Sequence, residues 1–176
     1  MMKIVLFGPQ GSGKSTQGKE LAQHLNIPYL STGDIFRNLP EDSEEGKRIK
    51  QILAEGKLVD DQTTVEIVKN KLSEQKFKDD FILDGYPRTL EQLNSFDPQF
   101  DKVVYLKVPK EELIQRLLQR GRADDTLEII NTRLDHYFNQ TEPLLDHFRQ
   151  QGILEEIDGL GSIEKIQDNL KSSFAK

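Results

Sequence analysis

The sequence predicts an α/β fold: a central parallel five-stranded sheet flanked by helices on both faces. Three observations predict it. Short apolar runs of strand length occur at 4–7, 29–30, 81–83, 103–108 and 153–157, segments of helical period fall between them, and the two kinds alternate along the whole chain. Runs that are apolar throughout suit strands covered on both sides, as a parallel sheet requires. With 176 residues, 35% of them hydrophobic and 31% charged, the chain reads as one domain, 1–176, long enough to bury a core.

The first strand, 4–7, runs into "GPQGSGKST", Gly8 to Thr16. This fits G-x-x-x-x-G-K-[ST], with a strand before it and an amphipathic helix (Leu21, Ala22, Leu25) after it. Glycines let successive backbone N–H groups turn inward around an anion, and the helix beginning near Gly13 adds its partial positive charge. Lys14 supplies a mobile charge for outer phosphates, and the Ser15 hydroxyl reaches a Mg²⁺ ion. An ordinary glycine-rich turn would not need every fixed position and both flanks to agree. The loop implies a bound nucleoside di- or triphosphate and makes the fold a three-layer phosphate-loop fold.

The second strand, 29–30, opens "YLSTGDIFR", a polar turn and a helix start that offers Thr32 and then Arg37; Thr or Asp in that place also caps helices. "NLPEDSEEGK", 38–47, reads as a solvated surface segment inside an insertion, followed by a helical stretch (Ile49, Ile52, Leu53) that Gly56 ends. The third strand, 81–83, leads into "FILDGYPRTLEQ", where Asp84 suits the outer shell of Mg²⁺ or the capping of a turn. After the fourth strand, 103–108, Pro109 opens a helix (Leu113, Ile114, Leu117, Leu118) that Gly121 closes. Asp125 followed by Glu128 resembles a capping box for the next helix (Ile130, Leu134, Tyr137, Phe138), which Pro143 bends or breaks. The fifth strand and a last helix (Ile163, Ile166, Leu170) complete the alternation. In such sheets ligands sit beyond the carboxyl ends of the strands, where these polar clusters fall.

Composition narrows the function. The net charge of −6 disfavours general nucleic-acid binding, which needs a basic surface. No run approaches the roughly 18 apolar residues of a membrane span, and "MMKIVLFG" is too short for a signal sequence, so a cytoplasmic place is expected. Zero cysteines exclude disulfides, thiol chemistry and a cysteine-based zinc site. An acidic chain that binds phosphates must gather its few cations locally. Five of its eight arginines, Arg37, Arg88, Arg120, Arg122 and Arg133, fall in or beside the strand-end clusters, which suits phosphoryl transfer. Arg116 and Arg120, four apart, would otherwise be read as a solvated basic helix face. His24, His136 and His147 lie in helical stretches away from every cluster.

In order and spacing, "GPQGSGKSTQGKELA", "LSTGDIFR", "GKLV", "FILDGYPRTLEQ", "RLLQRGR", "TRLDHYFNQTEPLL" and "GSIEKI" resemble the adenylate kinases over essentially the whole chain. The resemblance implies reversible phosphoryl transfer from Mg·ATP to AMP, giving two ADP, by a monomer with small-molecule partners (ATP, AMP, ADP), no nucleic acid and no membrane. It implies ATP contacts at Gly11, Ser12, Gly13, Lys14, Ser15, Thr16, Arg120 and Gly161. AMP contacts carry over to Thr32, Arg37, Lys57, Leu58, Val59, Gly85, Tyr86, Pro87, Arg88, Gln92, Arg122 and Arg133. Lys14, Arg88, Arg120, Arg122 and Arg133 would surround the transferring group, with Ser15 and Asp84 toward Mg²⁺ and no zinc. The AMP site would lie under a helical insertion, 31–59, and the lid would be the very short loop 120–126.

Two departures from the family pattern stand out. Ser15 occupies a position where glycine is usual, and "GRADD" is shorter than even short-lid members carry. A kinase of UMP or CMP is the nearest rival, although Thr32 and Thr89 resemble the adenylate branch. A GTPase-like switch or motor ATPase lacks its D-x-x-G and N-K-x-D motifs here, and a non-catalytic nucleotide sensor would not need Lys14, Arg88 and Arg133.

Overall fold

The computed structural model describes residues 1–174. Its sheet has five strands, β1 (Lys3–Phe7), β2 (Tyr29–Ser31), β3 (Phe81–Asp84), β4 (Lys102–Lys107) and β5 (Leu154–Asp158), in the order β2-β3-β1-β4-β5. Every neighbouring pair is parallel. Alternate residues of the apolar runs feed two cores. Val5, Phe7, Leu83, Val103 and Tyr105 face a cluster with Phe81, Tyr86, Phe100 and Phe148, while Ile4, Leu6, Ile82, Val104 and Leu106 face one with Leu21, Ile166 and Leu170. That two-sided burial is why β1, β3 and the middle of β4 carry no polar face, whereas the edge strand β5 holds Glu155 and Glu156.

The helices are α1 (Lys14–Leu25), α2 (Thr32–Arg37), α3 (Glu44–Ala54), α4 (Asp61–Leu72), α5 (Leu90–Ser95), α6 (Lys110–Arg120), α7 (Leu127–His136), α8 (Leu144–Gln150) and α9 (Ile163–Phe174). Helices α2 and α3 close over a small cluster of their own, Phe36, Ile49 and Val59. Among the described residues no helix is long and apolar enough to cross a membrane.

One expectation needs correction, and two helices add detail. The stretch 38–47 is largely exposed, as a solvated segment should be, and its second half is helical: Ser43 Oγ accepts the Gly46 N–H at 3.0 Å as cap of α3, which starts at Glu44, and within it Gly46 alone is buried. Asp125 does not cap α7; Thr126 Oγ1 accepts the Ile129 N–H at 3.3 Å, and Asp125 is engaged by arginines instead. Helix α4 was not foreseen, because its apolar side chains are few among polar and β-branched neighbours that give a weak periodic signal.

After His136 the helix widens into a π-helical turn, Tyr137–Thr141. Pro143 begins α8 as its cap, so the break expected there is present.

Candidate active site

The parallel register aligns the carboxyl ends of β1, β2 and β3: Asp84 lies beside Leu6 on one side and Ser31 on the other. Beyond these ends opens a cavity of about 390 Å³, walled by the loop before α1, by α2, by the turn after α3, by the segment after β3, and by α6 and α7. The loop after β1 needs glycine at its first position. Gly8 has φ +151°, and a Cβ there would meet Ser12 Oγ at 2.6 Å and Leu106 O at 3.0 Å.

Lys14 folds back over this loop, donating to Gly8 O at 2.6 Å and Pro9 O at 3.1 Å. Loss of hydration lowers its ammonium to about 8; Asp84 opposes the shift, while Arg88 and Arg120 add to it. Asp84 is 4% exposed and is the hub of the strand ends. Its Oδ2 accepts from Ser15 Oγ at 3.0 Å and from the Tyr29 hydroxyl at 2.7 Å, and its carbonyl accepts from Thr32 Oγ1 at 3.3 Å. Burial first, and then the Asp84 charge, push the Tyr29 phenol far up, so it serves as a hydrogen-bond donor.

The arginines converge from three directions. Arg88 follows the cis Tyr86–Pro87 bond, and its Nε donates to Gly85 O at 3.1 Å. Burial lowers its pKa, Asp84 raises it, and neighbouring Arg133 and Arg37 lower it again, so the cations feel one another across the cavity. Arg37 from α2 pairs with Asp34 at 2.6 Å. Arg120, at the end of α6, donates twice to Asp125, at 2.8 and 2.6 Å. Arg133 from α7 bonds Asp124 and reaches Leu53 O at 2.9 Å. Burial alone would raise the Asp125 carboxyl, but the Arg120 bond and the Arg122 N–H outweigh it and hold it below the ordinary value. Asp125 therefore occupies the fork of Arg120, and Asp124 takes one bond from Arg133; both are places that a planar guanidinium could equally offer to phosphate oxygens.

A phosphate loop, a strand-end carboxylate and inward-facing guanidinium groups sit on one wall system, and a family model described as adenylate kinase matches residues 6–153. The chain belongs to the adenylate kinase family. It is 40% identical to an adenylate kinase of Nocardioides sp. over 177 residues (94% of this chain, 93% of the relative). Identity is 42% to an adenylate kinase of Maricaulis maris over 185 residues (98% of each chain) and 37% to one of Methanosarcina barkeri over 213 residues (99% of each). The last alignment runs over more positions than this chain's 176 residues, so that adenylate kinase carries sequence this family member lacks.

Of the residues singled out from the sequence, Gly11, Gly13, Lys14, Ser15, Thr16, Thr32, Arg37, Lys57, Leu58, Val59, Asp84, Gly85, Arg88, Gln92, Arg120, Arg122 and Arg133 line the cavity. Four do not. Ser12 is 1% exposed behind the loop, Tyr86 is 1% exposed with its hydroxyl directed at Gln92 O and Phe96 O, and Pro87 and Gly161 stand off the wall. His136, expected away from every cluster, is on the wall, because α7 turns its last residues inward.

Arg116 also lines the cavity. It donates to Gly159 O at 2.9 Å, and its spacing from Arg120 was the only signal available. Tyr29, Asp61, Asp124 and Thr141 are further participants that sequence reading passed over. Thr141 Oγ1 donates to Arg88 O at 2.8 Å, a contact that the π turn makes possible and that no helical wheel would show.

The oxygen donors Ser15 and Asp84, 3.0 Å apart, suit Mg²⁺, which takes one or two protein oxygens and fills its shell with waters and phosphates. Among the described residues no group of three or more His, Asp or Glu could hold a metal alone. An ion here would lean on the nucleotide.

Proposed function

We propose that the chain transfers the terminal phosphoryl group of Mg·ATP reversibly to AMP, giving two ADP. The observation that carries this reading is one cavity into which Lys14, Arg37, Arg88, Arg120, Arg122 and Arg133 all face beside the phosphate loop. Phosphoryl transfer needs alignment and charge neutralisation rather than covalent help. The acceptor phosphate has a second pKa of about 6 and is already ionised at neutral pH, so the absence of a required general base costs nothing.

The donor lies on Gly11–Thr16, with Ser12 placing backbone rather than side chain, and with Arg120 and Gly161 at its flanks. The acceptor lies under the insertion, 31–59, against Thr32, Arg37, Lys57, Leu58, Val59, the Gly85–Arg88 turn and Gln92. Lys14 leaves its two carbonyls for the transferring group. Arg120 and Arg133 exchange Asp125 and Asp124 for phosphate oxygens as the lid, 120–126, engages, and the Arg122 side chain joins them; Arg88 spans donor and acceptor. Ser15 and Asp84 would hold a Mg²⁺ ion, which would supply charge neutralisation for the phosphates. The protein works on free nucleotides as a monomer, as the family resemblance implies, and in the cytoplasm, a place its cysteine-free composition suits.

The test is purified protein with ATP and each of AMP, UMP, CMP and GMP, following ADP formation chromatographically. AMP is expected to lead the others in kcat/KM by at least ~10²-fold, as hydrogen-bonded base recognition allows. Faster turnover of UMP or CMP would reassign the acceptor, and ATP hydrolysis outrunning transfer would reassign the reaction.

A further inference from the structure

Gln92 is 1% exposed yet reaches the cavity wall, and its amide is gripped at both ends. The Arg88 N–H donates to Oε1 at 2.8 Å, while Nε2 donates to Asp61 Oδ1 at 2.9 Å. A backbone N–H only donates and a carboxylate only accepts, so both neighbours impose the same orientation. Turning the amide over would set N–H against N–H and oxygen against carboxylate.

Asp61 is held in turn. Thr89 Oγ1 donates to the same Oδ1 at 2.8 Å and, as cap of α5, accepts the Gln92 N–H at 3.2 Å. Thr89 therefore ties the carboxylate and the backbone of Gln92 together. Once these bonds are made, Oε1 keeps one lone pair and Nε2 one hydrogen for a ligand, an acceptor beside a donor in a fixed order.

We propose that Asp61, supported by Thr89, is a positioning residue that sets acceptor-base specificity by locking the Gln92 amide in the orientation that reads adenine. This rests on the reading above that places Gln92 against AMP, and it assigns the exposed edge of the Gln92 amide to the acceptor base. Adenine offers an amino donor at N6 beside an acceptor at N1, complementary to the locked amide. Hypoxanthine, nearly the same in size and shape, carries a carbonyl at C6 and an N1–H. It sets oxygen against oxygen and N–H against N–H, and leaves four buried polar groups unpaired. Shape barely separates the two bases, so the orientation of one amide must do it.

The experiment compares AMP with IMP as acceptor, by kcat/KM and by calorimetric Kd, in the full chain and in D61N, T89V and T89S. The wild type is expected to prefer AMP by ~10³-fold or more, as sites built around base hydrogen bonds do. D61N presents either an oxygen or an amino group to Gln92, which releases one of the two locks. The AMP-to-IMP ratio should fall at least about tenfold, with T89V lying between and T89S restoring the ratio.

Helix α4 keeps its own cap in D61N, because Asp60 Oδ1 accepts the Thr63 N–H at 2.9 Å. A residue with a purely structural role would weaken both acceptors by one factor. An unchanged ratio in D61N, or a wild type indifferent to IMP, overturns the proposal. A chain that binds AMP over IMP in an Asp61-dependent way but transfers no phosphoryl group would support it and sink the kinase reading instead.

Discussion

Lys14 is a cation held with incomplete hydration, and in the proposed reaction its charge would meet the outer phosphates. Burial lowers it from the ordinary 10.5 to about 8, with Arg88 and Arg120 adding and Asp84 opposing. A base so lowered is charged below about 8 and loses its charge above. We expect kcat/KM for ATP to fall on an alkaline limb near that value, while the limb of kcat lies higher because bound phosphate raises the lysine again. K14R, which keeps its charge throughout, should lose the limb; a flat wild-type profile from pH 7 to 10 would refute the assignment. By the same shift the free protein gains stability as pH rises from 8 toward 10.5, since the unfolded chain holds that proton more tightly.

Arg88→Ala and Arg133→Ala should each lose on the order of 10²- to 10³-fold in kcat with the fold retained by circular dichroism, as for other preorganised anion sites. Near-normal turnover would remove them from the machinery. Sequence made the loop residues readable because they are contiguous. Tyr29 and Asp61 were silent because their partners, Asp84 and Gln92, are 55 and 31 residues away.

Among the elements, α1 shows how packing overrides local preference. Gly18 sits inside a helix, where alanine would be better by about 1 kcal/mol. A Cβ there would lie 2.5 Å from Leu6 Cδ1 and 2.7 Å from Tyr29 Cε2. The missing methyl lets the Tyr29 ring pass beneath α1 and carry its hydroxyl to Asp84. Gly18→Ala should therefore destabilise, since overpacking costs about 1–3 kcal/mol, and a thermal melt should show a Tm drop of several degrees; a higher Tm would show that the ring and Leu6 give way freely.

The π turn at Tyr137–Thr141 was equally unreadable. The wider turn re-aims Thr141 toward Arg88, and the regular stripe before it, Ile130, Leu134 and Phe138, which stay in one cluster, gives no sign of the change.

At the scale of the whole molecule, the contact that matters crosses the cavity: Arg133 of α7 donates to Leu53 O at the end of α3. The join between α6 and α7 is only 121–126, pinned by Asp125 to Arg120 and to the Arg122 N–H at 3.1 Å. A tether so short and so bonded has little room to swing. We expect substrate closure to come mainly from the insertion, 31–59. Because the chain has no cysteine, paired labels can be placed at will, one pair from Glu45 to Gln151 and one from Ala123 to Gln151. The first distance should change more than the second when a bisubstrate inhibitor binds. A moving lid beside a still insertion would contradict this.

The sequence by itself determined the α/β alternation, the strand positions to within a residue or two, the phosphate loop and the count of arginines beside strand ends, because each is written in local periodicity or contiguous spacing. Only the tertiary structure decided which of those arginines face one another, that Asp125 and Asp124 hold Arg120 and Arg133, that Thr126 rather than Asp125 caps α7, and that Asp61 bonds Gln92. Side-chain hydrogen bonds between distant segments are directional and short-ranged. They exist only once the packed sheet and helices have brought donors and acceptors within about 3 Å, and no one-dimensional pattern records that meeting.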